Sequence, residues 1–455
     1  MKHLIRGLSA AATLLLSVGS VGAAQASGGT PPPTITFQDA ITIALKQNTS
    51  VRQAQNATDL NSTSVQQARM NFLPDLRLSV NNGLNVGRTF SQTEGSIVDQ
   101  TSQSLNTGLS SSVTVFDGFR NLATLNAAKA TETASTYDIA RTRQTVVFTV
   151  ASNFLNLVAQ QEQLGVQNEN LKALELQQEQ IQKYVDAGVR PISDLYQQQA
   201  ATAGARAAVV NAKRAVELAK IDLIQTLQLD AARSYDFVAP DVTEAAAVSR
   251  SYDLNALLAQ AYQKRADLDA EQARVEAAKQ TTRASAAGKW PTISVTGSYS
   301  TGFNSAANLG LTDQLDQRRG GGIGIGLSIP LYDKSSASLA EQRAVIQEDN
   351  ARLDLANQRQ QIAVEIRRAY LDHQSAQEQL KAAEAQKVAA DQAVGATQER
   401  YRVGAATLVE LTQTRATQVQ AASALVNARY NLVFQDALMT YYTGDLDPAK
   451  VSLGA

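Results

Sequence analysis

The chain has 455 residues, with 41 Lys and Arg against 42 Asp and Glu, no cysteine and two histidines. So balanced a charge speaks against nucleic acid as a partner. The lack of cysteine removes disulfides, thiolate metal sites, a Cys nucleophile and an N-terminal lipid anchor.

Residues 1–26 read as a secretory signal. Lys2 and Arg6 form a short basic region, Leu14, Leu15, Leu16, Val18 and Val21 an apolar one, and Ala24-Gln25-Ala26 a cleavage site before Ser27. The apolar part is short for a bilayer span of ~20 residues, and nothing later approaches ~18 uninterrupted apolar residues. Losing Lys2 and Arg6 with the signal leaves 39 basic side chains (41 less 2) against 42 acidic ones. His3 leaves too, and His373 alone cannot build a histidine metal site or a triad. No nucleophile motif, phosphate loop or metal-ligand spacing stands beside it, so neither catalysis nor a cofactor is expected. Residues 27–36, with Pro31, Pro32 and Pro33, read as a flexible tail.

The first repeat spans 37–230. It opens with a predicted helix from Phe37 to about Phe72, with Ile41, Ala44 and Leu45 on one face and Thr36 near its N-cap. Near 76–116 the period falls to two. Leu76, Leu78 and Val80 open one strand. In the next, Leu105, Thr107, Leu109, Ser111, Val113 and Val115 alternate with Ser104, Asn106, Gly108, Ser110, Ser112 and Thr114. The stretch from Gly87 to Gln103 between them reads as a long polar loop. A helical hairpin follows over 118–230. Its first limb, Gly118 to Val185, keeps a three–four spacing through Val147, Val150, Phe154, Leu157, Leu164, Leu171 and Ile181. It is free of proline and reaches roughly 100 Å at 1.5 Å per residue. The chain turns at Pro191 and returns through Leu195, Val209, Val216, Leu223 and Leu227.

After a linker over 231–251 the pattern recurs over 252–443, at an offset of about 216 residues. Gln161-Glu162-Gln163-Leu164 answers Gln377-Glu378-Gln379-Leu380, and Val210-Asn211-Ala212-Lys213 answers Val426-Asn427-Ala428-Arg429. The helix from Tyr252 to about Gly288, with Ser251 near its N-cap, answers the one from Phe37. Strands near 292–331 alternate Ile293, Val295, Gly297, Tyr299, Thr301 and Phe303 with Ser294, Thr296, Ser298, Ser300 and Gly302; Ile323, Ile325, Leu327, Ile329 and Leu331 follow. The second connection is Gly302 to Arg319, the second hairpin 335–443 and the C-terminal tail 444–455.

Strands with one apolar face and one Ser/Thr/Gly/Asn face suit a half-wet sandwich or a membrane barrel with Trp290, Phe303, Phe116 and Tyr332 as girdle aromatics. Four strands per chain cannot close a barrel, and open edges are not tolerated in lipid. Two, three or four copies would supply eight, twelve or sixteen strands, and a duct favours three or more. A periplasmic coiled-coil scaffold or adaptor without a pore would explain the helices. It would not explain strands inserted between them twice.

The helix–strand–strand–hairpin unit used twice behind a signal resembles TolC and the outer membrane efflux proteins over nearly all of the mature chain. The local signatures are Tyr401-Arg402-Val403-Gly404-Ala405-Ala406-Thr407-Leu408-Val409-Glu410-Leu411, Ala428-Arg429-Tyr430-Asn431-Leu432 and Ala187-Gly188-Val189-Arg190-Pro191-Ile192-Ser193-Asp194-Leu195. The resemblance implies a mostly α fold with a β-barrel portion, in which a homotrimer gives a twelve-stranded barrel in the lipid of the outer membrane of a Gram-negative bacterium. Periplasmic helices would form the tunnel below. It implies an exit duct for efflux or type I secretion, fed through a periplasmic adaptor (membrane fusion protein) by an inner-membrane transporter of the ABC, RND or MFS kind. The hairpin tips would be entrance and docking place, with Gly188, Val189, Pro191, Gly404 and Ala405 in the docking turns. Asp194 and Tyr401 stand at gate positions and Glu410 in an acidic ring. The pattern breaks at Ala406, where the family's gate arginine would stand, and at Gln413, the second ring position. Arg190, 216 residues before Ala406, is the candidate substitute cation for Asp194 or Glu410.

Overall fold

A computed structural model describes residues 33–91, 95–238, 251–307 and 309–446. The expected signal, most of the proline-bearing tail, most of the linker and the chain from 447 onward lie outside the described residues.

The end of the tail is a strand. Thr34–Thr36 (β1) pairs in parallel with Asp236–Val238 (β4), Ile35 opposite Phe237, and both of these side chains are buried. Thr36 then caps Phe37–Gln47 (α1) in a reciprocal box: its hydroxyl accepts from Asp39 N–H at 3.2 Å, and the Asp39 carboxylate accepts from Thr36 N–H at 3.2 Å.

The single opening helix expected in each repeat is two helices. Thr49–Met70 (α2) follows α1, and Leu254–Lys264 (α5) is followed by Ala266–Ala286 (α6). The break residues, Asn48 (ψ 129°) and Arg265 (ψ 114°), leave the helical region. Asn48 caps both neighbours. Its N–H donates to Ala44 C=O, and its side chain accepts from Ser50 N–H while donating to Thr226 C=O. Arg265 is held by Asp267 (2.5 Å) and Glu365 (2.7 Å), with its side chain only 3% exposed. The cap of α5 is Asp253, accepting from Asn255 and Ala256 N–H, rather than Ser251.

Four strands form one antiparallel sheet in the order β2-β3-β5-β6: Arg77–Ser91, Ser96–Phe116, Thr292–Asn304 and Gly320–Ser328. Pairing of β3 with β5 lays the repeats side by side. The register puts Leu78 opposite Leu109, Leu109 opposite Tyr299, and Ile293 opposite Leu327, so one face is mainly apolar near the helices; farther along β2 and β3 the same face carries Asn82, Gln103 and the opposed Arg88 and Asp99. Ile323, Ile325 and Leu78 on it are 87, 78 and 70% exposed, a patch far beyond what a soluble surface shows. The other face carries Ser79, Asn81, Asn106, Ser110, Thr296 and Ser298 and, past Arg77, no charged side chain among the described residues.

The expected loop from Gly87 to Gln103 is mostly strand. The ladder continues through Val86–Thr101 and Phe90–Ile97. Alternation persists there on one face, while the abundance of Asn, Gly and Gln masks it. The second connection holds a short helix, Leu311–Gln317 (α7). Its Gln314 accepts from Asn304 N–H and donates to Asn304 C=O, taking the place of a strand residue past the end of β6.

Arg120–Asp186 (α3) and Ser336–Arg402 (α8) have 67 residues each, about 100 Å. The return limbs, Ile192–Leu227 (α4) and Leu408–Tyr442 (α9), have 36 and 35, so only the outgoing limbs are that long. Nearer the strands, α2 and α6 pack against α3 where no return limb reaches. The repeat is also written in the backbone. Left-handed residues pair at one offset: Gly118 with Lys334, Phe119 with Ser335, Gly188 with Gly404, and Gln228 with Gly444, each 216 apart (334 − 118, 335 − 119, 404 − 188, 444 − 228).

The main core lies where α1, α3, α4 and the β1–β4 pair meet. Phe154 is fully buried and meets Phe37 edge-on at 5.4 Å and Phe237 at 6.0 Å, among Ile41, Leu157, Leu223 and Leu227. A second cluster joins Leu257, Leu268, Ile362, Ile366 and Met439. A small one closes the far end of the hairpins, with Ile181, Leu195, Tyr401, Ala406, Leu408 and Leu411.

Candidate functional site at the hairpin tips

Both hairpins turn in the same way. Val189 N–H donates to Tyr184 C=O at 2.8 Å and Gly188 N–H to Val185 C=O at 2.9 Å; Ala405 donates to Arg400 C=O and Gly404 to Tyr401 C=O at 2.7 and 3.1 Å. These are paired Schellman turns, with glycine in the left-handed position (φ 71° and 79°). Nothing lies within 4 Å of a Cβ at either glycine, so backbone angle alone selects it. Gly188, Val189, Pro191, Gly404 and Ala405 are all exposed, as are the apolar Ile192, Val403 and Val409.

Arg190 leans across from the first hairpin to the second. Its guanidinium lies over the Tyr401 ring, 4.7 Å from the centroid, and Nη2 donates to Tyr401 C=O at 3.3 Å. A cation over an aromatic face is attracted by about 0.5–2 kcal/mol. Tyr401 is 7% exposed, and its hydroxyl is buried without a hydrogen-bond partner. Burial pushes its phenol above the ordinary value; nearby Arg190 opposes this, and Asp194 and Tyr184 add to it.

The expectation that Arg190 pairs with Asp194 or Glu410 gives way to this contact. Asp194, half-buried, has no ion pair or side-chain hydrogen bond among the described residues. Glu410 is held by Arg400 at 2.6 Å, and Arg400 also donates to Ala405 C=O. Sequence reading missed Arg400 because its counterpart 216 residues earlier is Tyr184; its place ten residues before Glu410, across a tight turn, was the available signal. Asp194 and Glu410 are the third residues of α4 and α9, where the helix dipole favours a carboxylate. Ala406 is buried in the apolar tip cluster, and Gln413 is exposed one turn above Glu410.

Titratable groups elsewhere hold the frame. His373 packs edge-on against Tyr252, with Nε2 3.0 Å from Asp436 Oδ1. Asp267 is held below the usual carboxylate range: burial raises it, but Arg265 and Arg141 prevail. Among the described residues no group of three or more His, Cys, Asp or Glu could hold a metal ion.

The family profile described as "Outer membrane efflux protein" matches residues 40–227 and 257–444, one match per repeat. The outer membrane protein TolC of Vibrio cholerae serotype O1 is 25% identical over 325 residues, 71% of this chain and 72% of that protein. Among solved structures, the outer membrane protein VceC from Vibrio cholerae superposes with a TM-score of 0.77 at 20% identity, covering 90% of this chain and 96% of that one. The open state of the Neisseria gonorrhoeae MtrE outer membrane channel superposes at 0.71 and 20%, covering 91% and 89%. The fold is therefore that of the TolC-like channels, long helices joined to a four-stranded sheet. The chain belongs to the outer membrane efflux protein family and is an outer-membrane exit channel for efflux, reaching down into the periplasm.

Proposed function

We propose that three copies assemble with β6 of each against β2 of the next, closing a twelve-stranded barrel above a helical tunnel whose entrance is the tip. Unpaired strand edges cannot stand in lipid, and eight strands leave an interior filled by side chains. The apolar face then meets lipid and the uncharged polar face meets water. In this reading an inner-membrane transporter of ABC, RND or MFS type passes cargo through a periplasmic adaptor seated on the turns at Gly188–Pro191 and Gly404–Ala405. Exposed Val189, Ile192, Val403 and Val409 give that adaptor apolar ground. Tripartite efflux and type I secretion both use such a route.

The observation that carries the gate is the reach of Arg190 onto Tyr401. It ties the hairpins together inside each protomer and stands in for the arginine missing at Ala406. Around a threefold axis, Asp194 supplies three carboxylates without a cation of their own. Glu410 supplies three that are already balanced by Arg400. The expected result is a narrow, weakly cation-selective entrance. Arg190→Ala should raise single-channel conductance in planar bilayers; unchanged conductance removes Arg190 from the latch.

A further inference from the structure

One seam joins the two repeats inside the chain. β3 pairs with β5, and below them α3, which follows β3, packs along α6, which leads into β5. Asp138 of α3 meets Arg274 of α6 at 2.6 Å, and Arg141 comes within 3.8 Å of Asp267. At helical spacing the same face of α3 continues toward the strands through Ala134, Ala130 and Ala123, and Ala134 and Ala123 are buried. The other side of α3 is covered by α2.

The second repeat has the same faces without the cover. In α8, 216 residues on, the face reads Asp354, Asn350, Ile346 and Leu339. All four are exposed, Ile346 by 61% and Leu339 by 48%. By position in the repeat, the helix that should lie there is the counterpart of α6, which is α2: their opening breaks, Asn48 and Arg265, stand 217 residues apart (265 − 48). Within the chain, however, α2 packs along α3 and not along α8. Its far face is bare. Ala277, one turn past Arg274 in α6, has as its counterpart Leu60 (277 − 217), which is 70% exposed.

We propose that this face of α8 is covered by α2 of the next copy, with Leu60 beside Asn350 and between Ile346 and Asp354. The pairing rests on the three-copy reading above and names the helix faces that meet in it. The connectivity favours it: β6 leads into α8 and α2 leads into β2, so joining β6 to β2 of the next copy brings these helices together as β3 and β5 bring α3 and α6. The chemistry of the two seams differs. The counterparts of Arg274 and Asp267 are Ala57 and Ser50 (274 − 217, 267 − 217), so neither ion pair recurs. In exchange Ala123, Ala130 and Ala277 become Leu339, Ile346 and Leu60. The seam inside the chain is alanine and ion pairs, and the seam between copies is held by larger apolar side chains. Such a contact is head-to-tail and closes into a ring.

The chain has no cysteine, so a disulfide forms only where two are placed. In Leu60→Cys/Asn350→Cys the thiols stand on helices that do not pack together within one chain, and oxidation of the native oligomer in detergent should give a covalent trimer on a denaturing gel. Leu60→Cys/Arg352→Cys moves the second thiol about 200° round α8 and should stay monomeric on that gel. A native trimer by light scattering in which the Asn350 pair does not link, or links no better than the Arg352 pair, overturns the seam and leaves the number of copies standing. Covalent species that end at two or four copies would support the seam and overturn the count of three. Leu60→Asp is the second measurement, since this side chain is exposed in the single chain. It should lower the temperature at which the oligomer dissociates, whereas strong salt should leave the wild-type oligomer intact because the seam holds no ion pair. A Leu60→Asp oligomer as heat-resistant as the wild type overturns the proposal as well.

Discussion

The two ends of each hairpin are held by different means. Where the first return limb α4 stops, halfway along α3, five helices and the β1–β4 pair bury three interlocked phenylalanines and a large aliphatic cluster, and ion pairs of buried Arg265 fix the break between α5 and α6. At the tip, six buried side chains and half-buried Val185 form the apolar cluster, and a cation over one ring reaches from one hairpin to the other. The same hairpin is therefore clamped at one end and lightly latched at the other. In the proposed gate the helices part at the tip, and the core around Phe154, the belt of the hairpins, is the fixed point.

The sharpest way to break this contrast is at the belt. Phe154→Ala empties the centre of the Phe37–Phe154–Phe237 stack and should cost about 3–5 kcal/mol. It should appear as a large fall in melting temperature and in yield of assembled protein. If the loss is no greater than that of a tip substitution, the belt is not the fixed point.

Next in size is the latch. Arg190→Ala removes the cation over Tyr401 and a hydrogen bond, about 1–2 kcal/mol together at a partly exposed site. That shifts an open–closed equilibrium roughly five- to thirtyfold at 1.4 kcal/mol per decade, while the melting temperature of the assembly changes little. A fall in melting temperature comparable to that of Phe154→Ala would show that the latch carries global stability.

The third test concerns charge rather than strength. The Arg400–Glu410 pair is exposed and adds at most about 1 kcal/mol to stability. In the proposed entrance its members nonetheless tune the field whose sign the Asp194 carboxylates set. Arg400→Gln frees three Glu410 carboxylates and should raise cation selectivity, read from reversal potentials in a salt gradient. Glu410→Gln leaves three Arg400 uncompensated and should lower it. Identical reversal potentials in both variants would place this pair away from the conduction path.

Much of the fold was legible because the repeat states it twice. The alternation of Ile293 to Phe303 and the three–four spacing of Val147 to Ile181 are periodic signals, and periodicity survives wide variation in composition. The helix breaks at Asn48 and Arg265 were not legible, since each depends on partners far along the chain, Thr226 and Glu365. The long β2–β3 ribbon was obscured by its polar face. At the tip, sequence placed Asp194, Tyr401 and Glu410 at one end of the molecule. It could not say which cation meets which group, because Arg190 and Arg400 are both near in sequence and only side-chain direction separates them.

The smallest expected effect is one of pH, and it isolates Tyr401 from its neighbours. The tip, which we read as closed, buries this phenol and holds its pKa above the ordinary value of 10.0, chiefly by burial. A raised pKa means that the closed tip prefers the neutral form. Its contribution is fully present below the unfolded value and is lost as pH rises through the raised one. Conductance should thus stay constant from neutral pH to about 10 and climb above it as the phenolate forms against Asp194. Tyr401→Phe keeps the ring under Arg190 and removes a hydroxyl that has no partner, so closure should be unweakened and the alkaline rise abolished. An alkaline rise of the same size in Tyr401→Phe would assign the effect to lysines instead, and the latch would then owe nothing to the protonation of this ring.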